Sequence, residues 1–123
     1  TLSDQTRDRL RETLDAQQLA QLVNVRNPLD LTPMADDEAY ENAMRVLLDA
    51  PEVDALVVAA VPMTPQLLTT EYELDRPGSI AARVISLFRE STKPLVFVID
   101  SMGPYEAFAD RLRTPPVAMM VVI

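Results

Sequence analysis

Six polar residues lie where a predicted strand or helix meets a loop, and their side chains could bind a ligand there. They are Asn27, Asp30, Thr32, Thr64, Asp100 and Ser101. In an open parallel sheet, ligands bind beyond the carboxyl ends of the strands. The turn from Asp100 to Gly103 could offer backbone N–H groups at a helix start to an anion. Alternatively, these residues only cap helices and form turns. We therefore expect a ligand-binding or interface site, and no catalytic residue is assigned.

The residues that are missing exclude several kinds of chemistry. The chain contains no cysteine and no histidine, so it can form neither a Cys nucleophile, a Ser-His-Asp triad nor a phosphohistidine. It has only two glycines and neither of the glycine-rich phosphate motifs, which argues against a self-sufficient nucleotide site. Glu71, Glu73 and Asp75 could bind Mg²⁺, but no basic or histidine cluster matches them, and a solvated loop is the favoured interpretation. The residues thus predict a non-catalytic module with no metal and no cofactor of its own.

Alternating helical and strand patterns predict the fold. Ser3 and Asp36 are predicted N-caps, and a third helix begins at Gly78 or Ser79. A fourth helix follows Gly103. Continuous apolar runs at residues 55–61, 95–99 and 117–123 predict parallel strands buried on both faces. Residues 66–77 form a long connection, interpreted as a lid-like insertion or an interface loop. We expect an α/β fold: a flavodoxin-like, three-layer open parallel sheet with helices on both faces.

Composition and charge limit the partners. The 123 residues, 48% hydrophobic and 24% charged, predict one globular domain over residues 1–123, which we expect to be incomplete. A net charge of −8 argues against nucleic acid and against an anionic membrane surface. The apolar runs are too short to span a bilayer and no signal peptide is visible, so a cytoplasmic location is expected. An open strand edge in so small a sheet predicts self-association.

One combination of motifs resembles a known family. It begins with the loop Asn27-Pro28-Leu29-Asp30-Leu31 and continues with a helix carrying Tyr40 and Ala43. A run from Asp49 to Val58 follows, with Val-Asp-Ala leading into the strand, and Lys93-Pro94-Leu95-Val96 completes the pattern. Over roughly residues 20–113 the chain resembles the second succinyl-CoA-ligase-type flavodoxin-like domain of NDP-forming acyl-CoA synthetases, the acetate–CoA ligase (ADP-forming) family.

The resemblance implies a role within a larger enzyme. Members of that family form acyl-CoA, or ATP from it, through acyl-phosphate and phosphohistidine intermediates, using CoA, ATP or ADP and Mg²⁺. The implied partners are a CoA-binding domain, a ligase domain that carries the histidine, and an ATP-grasp domain. The chain would then help to form the phosphohistidine site and the interdomain interface without being catalytic alone.

The chain departs from the family at two loops. In related ligases these loops are glycine-rich and help to hold phosphate, whereas here they read Thr32-Pro33-Met34 and Pro62-Met63-Thr64. The departure favours an alternative: a regulatory or assembly module that keeps the fold without binding phosphate. A receiver-like module, the third option, would need an acidic pair after its first strand, an Asp at the end of the central strand and a late lysine, a set that the sequence does not show.

Overall fold

A computed structural model describes residues 1–100 and 103–113, together with the backbone of 118–122. Its helices are α1 (Asp4–Ala16), α2 (Asp37–Asp49), α3 (Ile80–Glu90) and α4 (Glu106–Arg113), and its strands are β1 (Leu56–Ala60), β2 (Leu95–Asp100) and β3 (Ala118–Val122). A short 3-10 turn at Gly103–Tyr105 precedes α4. Within these residues, no helix combines the length and the apolar character needed to cross a membrane.

The three strands form one parallel sheet in the order β1-β2-β3. Helix α3 connects β1 to β2, and α4 connects β2 to β3. Their buried residues, including Val84 and Phe108, pack in a single core with Val58, Phe97 and Ile99 of the strands. Both crossover helices therefore cover the same face of the sheet, as right-handed connections require when strands are added in one direction. The predicted α/β class and parallel sheet are confirmed.

The opposite face of β1 is exposed, which contradicts the prediction that this strand is buried on both faces. Burial alternates along the strand: Leu56, Val58 and Ala60 are buried, whereas Val57 is 66% exposed and Ala59 is also exposed. The apolar run misled the prediction because the described helices that cross over between the strands lie on one side only. We call the side with Val57 and Ala59 the outer face.

A second core lies between α1, α2 and the segment that joins them. Leu10 and Leu14 of α1 pack there with Ala39, Ala43 and other apolar residues, including Leu19, Val23 and Leu31. The two predicted caps are in place: the side chain of Ser3 accepts the N–H of Thr6, and that of Asp36 accepts the N–H of Ala39. Of the two predicted starts of the third helix, Ser79 is the cap, and its side chain accepts the N–H of Ala82. These local signals fix where the helices begin.

The carboxylate of Asp37 joins α2 to α3 and to the long connection after β1. It lies in the first turn of α2 and accepts the N–H of Leu68 with both oxygens, at 3.2 Å each. It also accepts the N–H of Ile80, the first residue of α3. Burial raises the pKa of Asp37, and the two backbone N–H groups offset part of that rise. The connection is packed into the fold through this carboxylate and through buried Leu67 and Leu74, so the lid interpretation is wrong.

Replacing this carboxylate should weaken the whole fold. We expect Asp37→Ala to lower the free energy of unfolding by about 2 to 4 kcal/mol, because it leaves the N–H groups of Leu68 and Ile80 without an acceptor in a buried place. The neighbouring Asp36→Ala removes one helix cap and should cost only about 1 kcal/mol. Urea denaturation of both variants measures the difference. Equal losses in the two variants would contradict this role for Asp37.

Glu52 fastens the start of α1 to the segment before β1. Its carboxylate accepts the N–H of Ser3 at 2.7 Å. This bond, with a further one from the Thr6 hydroxyl, lowers the pKa of Glu52 to about 2 from an ordinary value of 4.5. A carboxylate whose folded-state pKa is depressed stabilises the fold above its ordinary pKa and loses that effect as the pH falls.

Acidification tests this contact. Between pH 4.5 and about 2, we expect the wild-type chain to lose more unfolding free energy than Glu52→Gln does, because the variant has no charge to neutralise. Glu12→Gln, which changes an exposed carboxylate on α1, is the matched control and should follow the wild type. Denaturation midpoints across this pH range give the measurement. Parallel curves for wild type and Glu52→Gln would rule out a stabilising role for the Glu52 carboxylate.

Candidate functional site

Four of the six predicted site residues line one cavity. Asp30, Thr32, Thr64 and Asp100 surround a space of about 390 Å³ at the carboxyl end of β1 and β2. Asn27 lies in an adjoining cavity of about 370 Å³ nearer the start of β1. Ser101 lies outside the described residues. The topology therefore brings together side chains from the loop before α2, the loop after β1 and the end of β2, as expected at the carboxyl edge of a parallel sheet.

Side chains of the loop before α2 hold its backbone in place. The Asp30 carboxylate accepts the N–H of Thr32 at 2.9 Å, and the Thr32 hydroxyl accepts the N–H of Met34 at 3.3 Å. Thr32 has a φ of 65°, a left-handed conformation that is unusual for a β-branched residue. These bonds show that Asp30 forms a turn, which is the alternative to ligand binding that the sequence left open.

The loop after β1 meets the loop before α2 through Thr64. Its hydroxyl accepts the N–H of Gln66 at 3.2 Å and donates to the carbonyl of Pro33 at 3.5 Å. Buried Thr69 holds the same segment by donating to the carbonyl of Pro62 at 2.8 Å. The loop before α2 and the loop after β1 thus support each other directly.

The cavity at the carboxyl edge is poorly suited to phosphate. The N–H groups of Thr32, Met34 and Gln66 already donate to side chains of the same loops. Asp30 and Asp100 add carboxylates, and no Lys or Arg is among the described residues that line the cavity. An anion there would meet negative charge and few free donors.

The acidic residues do not form a metal centre in the part of the chain that the structure describes. No group of three or more acidic side chains is arranged to hold an ion among those residues. Glu73 accepts from the N–H and hydroxyl of Thr70, and Asp75 pairs with Arg111 at 2.5 Å. Two of the three acids considered for Mg²⁺ therefore have structural partners.

Sequence reasoning missed two residues beside the cavities. Tyr40 of α2 lines both of them. Burial raises the pKa of its hydroxyl, and the negative charge of Asp30 raises it further. Arg26 lines the cavity nearer the start of β1. Its place just before the Asn-Pro loop was the available signal.

The two cavities form one groove that follows the edge of β1 with which no described strand pairs and continues onto the outer face of the sheet. We call it the outer groove. Asp30, Tyr40 and Ala59 line both cavities, so the cavities are adjacent. The outer-face residues Val57, Ala59, Val61 and Val98 line the groove, and residues 26–35 form one wall. Where the groove follows the edge of β1, Leu56 and Val58 of the buried face and Met44 of α2 line it as well. Val61 is 54% exposed, and Met63 at the end of the groove is 62% exposed. The groove is mainly apolar, with charged groups at its margins.

Comparison of the chain with protein-family models, with curated proteins and with solved structures found no match. Inferences about function therefore rest on the residues of this chain and on their arrangement.

Phosphate titration tests the cavity at the carboxyl edge. We expect millimolar inorganic phosphate to cause no saturable change in the amide NMR signals of Thr32, Met34 and Gln66, because these donors are occupied. Asp30→Ala frees the Thr32 N–H and removes one carboxylate, so a response at Thr32 should appear in that variant. Asp54→Ala removes an exposed carboxylate that does not line the cavity and should behave like wild type. Saturable binding by the wild-type chain would contradict this assessment.

Proposed function

We propose that this chain is a non-catalytic α/β module that acts by packing against another protein domain through the outer groove. The observation that carries the proposal is the exposure of aliphatic side chains on one face of a parallel sheet. Parallel sheets are normally covered on both faces, yet Val57 is 66% exposed and Val61 is 54% exposed. Contiguous apolar surface of this kind marks an interaction site.

The polar groups beside the groove support a binding role over a catalytic one. Catalysis by acid–base or nucleophilic chemistry needs a group with a matched pKa held near a reacting atom. The chain has no His or Cys, and both Asp30 and Thr32 are engaged in bonds within their own loop. These bonds stabilise the loop before α2, which lines the outer groove, and do not hold a reactive group in position.

The sequence resemblance suggests that this module is one domain of a larger cytoplasmic enzyme. The chain would be the second ligase-type flavodoxin-like domain of an NDP-forming acyl-CoA synthetase. Its partners are the CoA-binding, histidine-carrying and ATP-grasp domains, and CoA, ATP or ADP and Mg²⁺ belong to those domains. The parallel order of β1, β2 and β3 with helical crossovers is compatible with that fold, whose third layer would cover the outer face.

A second candidate function is direct participation in the phosphohistidine site of such an enzyme. It is favoured by the convergence of Asp30, Thr32, Thr64 and Asp100 on one cavity. Phosphate binding by the wild-type chain, the outcome that the titration above does not anticipate, would support this second function over the first.

Self-association of the isolated chain tests the proposed docking face. We expect weak association that strengthens with salt, because each copy carries a net charge of −8. Val57→Lys should weaken it while changing the free energy of unfolding by no more than about 0.5 kcal/mol. Sedimentation equilibrium and urea denaturation give the two readouts.

Two control variants make the result specific. Leu22→Lys changes an equally apolar residue, 55% exposed, away from the outer groove and should leave association unchanged. Val58→Lys, on the buried face of the same strand, should cost about 3 kcal/mol or more. Destabilisation of Val57→Lys to that extent would show that the outer face is covered within the folded chain.

An activity assay tests the non-catalytic part of the proposal. Formation of acyl-CoA from acid, CoA and ATP by the purified chain would contradict a non-catalytic module.

A further inference from the structure

We propose that the outer groove binds an extended segment of a partner protein, which pairs as an added strand with the free edge of β1. The free edge is the side of β1 with which no described strand pairs. This inference rests on the proposed docking function and names the form and the chemistry of the partner. The segment is apolar in its middle and carries a basic side chain that meets Asp30.

Backbone groups of Val57 and Ala59 point to the free edge. The strands β1 and β2 pair in parallel, and Leu56 donates its N–H to the carbonyl of Pro94 at 2.9 Å. Alternate residues of a strand direct their N–H and C=O groups to opposite sides, so those of Val57 and Ala59 point away from β2. No turn or loop among the described residues supplies a backbone partner for them. They offer an extended segment two donors and two acceptors.

Nothing in the sequence of β1 blocks pairing at this edge. Proteins usually protect an edge strand with a proline, a charged side chain or a bulge. Residues Leu56–Ala60 contain neither proline nor a charged residue, and their register with β2 is continuous. A partner helix could not satisfy the groups at the edge, because its own backbone groups are already bonded to each other. An added strand satisfies them directly.

The space beside the free edge suits apolar side chains. The cavity of about 370 Å³ there is lined by Leu56 to Ala59 and by Ala43, Met44 and Leu47 of α2. Met44 shares the inner core with α3 and β2, so α2 covers the inner side of this space. Successive side chains of a strand point to opposite faces. One set from the added strand would therefore contact α2, and the other would extend the apolar outer face beside Val57.

Charge favours a basic partner over a second copy of the chain. Asp30 is exposed and lines both cavities, and Asp100 lines the one at the carboxyl end of β1. A second copy would bring a further net charge of −8. Its own free edge also lies beside a wall formed by residues 26–35, and the two walls would meet when the edges paired. A separate extended segment with basic ends avoids both problems.

Hydrogen exchange tests the edge directly. In the free, monomeric chain we expect the amides of Val57 and Ala59 to exchange at least about tenfold faster than that of Val58, which donates to β2. Saturation with a blocked peptide of about seven residues, lysine at each end and alternating valine and threonine between, should slow exchange at Val57 and Ala59 at least about tenfold. The amide of Val58 is the internal control.

Two methylated peptides distinguish strand pairing from apolar contact. One carries N-methyl groups on its second and fourth residues, and the other carries them on its third and fifth. Only one of these sets of amides can face β1. Fluorescence anisotropy should show that one methylated peptide binds at least about tenfold more weakly than the parent. The other should stay within about twofold of it. The set that is sensitive reports the direction of the added strand.

Substitutions in the chain localise the binding. Ala59→Pro removes one donor from the free edge and keeps the bonds between β1 and β2, as proline at an edge strand can, so peptide binding should weaken at least about tenfold. Asp30→Asn keeps an acceptor for the Thr32 N–H and should weaken binding about threefold. Leu22→Lys should leave binding unchanged. Circular dichroism checks that each variant is folded, and the methylated peptides test the wild-type chain whether or not Ala59→Pro folds.

The possible failures are distinguishable. The inference is overturned if Val57 and Ala59 are already protected in the monomer, if the peptide does not protect them, or if both methylated peptides lose affinity equally. The proposed function still stands in these cases if Val57→Lys weakens self-association, and it fails too if Val57→Lys has no effect. A dimer through the free edge that the peptide does not displace would assign the edge to a second copy and overturn the inference.

Discussion

The fold depends on one buried carboxylate. Asp37 accepts backbone N–H groups from Leu68 and Ile80, which lie 31 and 43 residues further along the chain. It therefore fixes three things at once: the start of α2, the connection after β1 and the start of α3. A carboxylate in such a place is tolerated because these donors compensate for the loss of water. Because Asp37 holds the first residue of α3, the apolar side of this helix packs on the inner face of the sheet, the face opposite the outer face.

The position of α3 determines which face of the sheet stays exposed. Helices α3 and α4 fill the inner side with residues such as Val84 and Phe108, and α2 joins this core through Met44. The outer side chains of β1 are consequently uncovered by any described helix, and Val57 is 66% exposed. The loop before α2 then supplies a wall beside that face. The exposed outer face is thus a direct consequence of one-sided coverage.

Local signals made much of this fold predictable. The caps at Ser3, Asp36 and Ser79 depend on bonds to residues three positions away, so the sequence alone reveals them. The exposure of Val57 could not be predicted, because an apolar run looks the same whether a strand is covered by its own chain or by a partner. The role of Asp37 as an acceptor could not be predicted either, because it requires N–H donors that only the tertiary structure brings near. The topology of a parallel sheet predicted that Asp30, Thr64 and Asp100 lie near one another. It did not predict the hydrogen bonds that Asp30 and Thr64 form within and between their loops.

The polar residues at the carboxyl edge of the sheet bear on both proposed functions, phosphate binding and docking of a partner domain. A phosphate cradle leaves backbone N–H groups free, usually with glycines that let the ligand approach. Here the Asp30 carboxylate and the Thr32 hydroxyl occupy those donors, and each bond makes the loop before α2 more rigid. Thr64 then joins this loop to the next. The same side-chain bonds that leave these backbone N–H groups without capacity for phosphate also hold the wall of the outer groove in place.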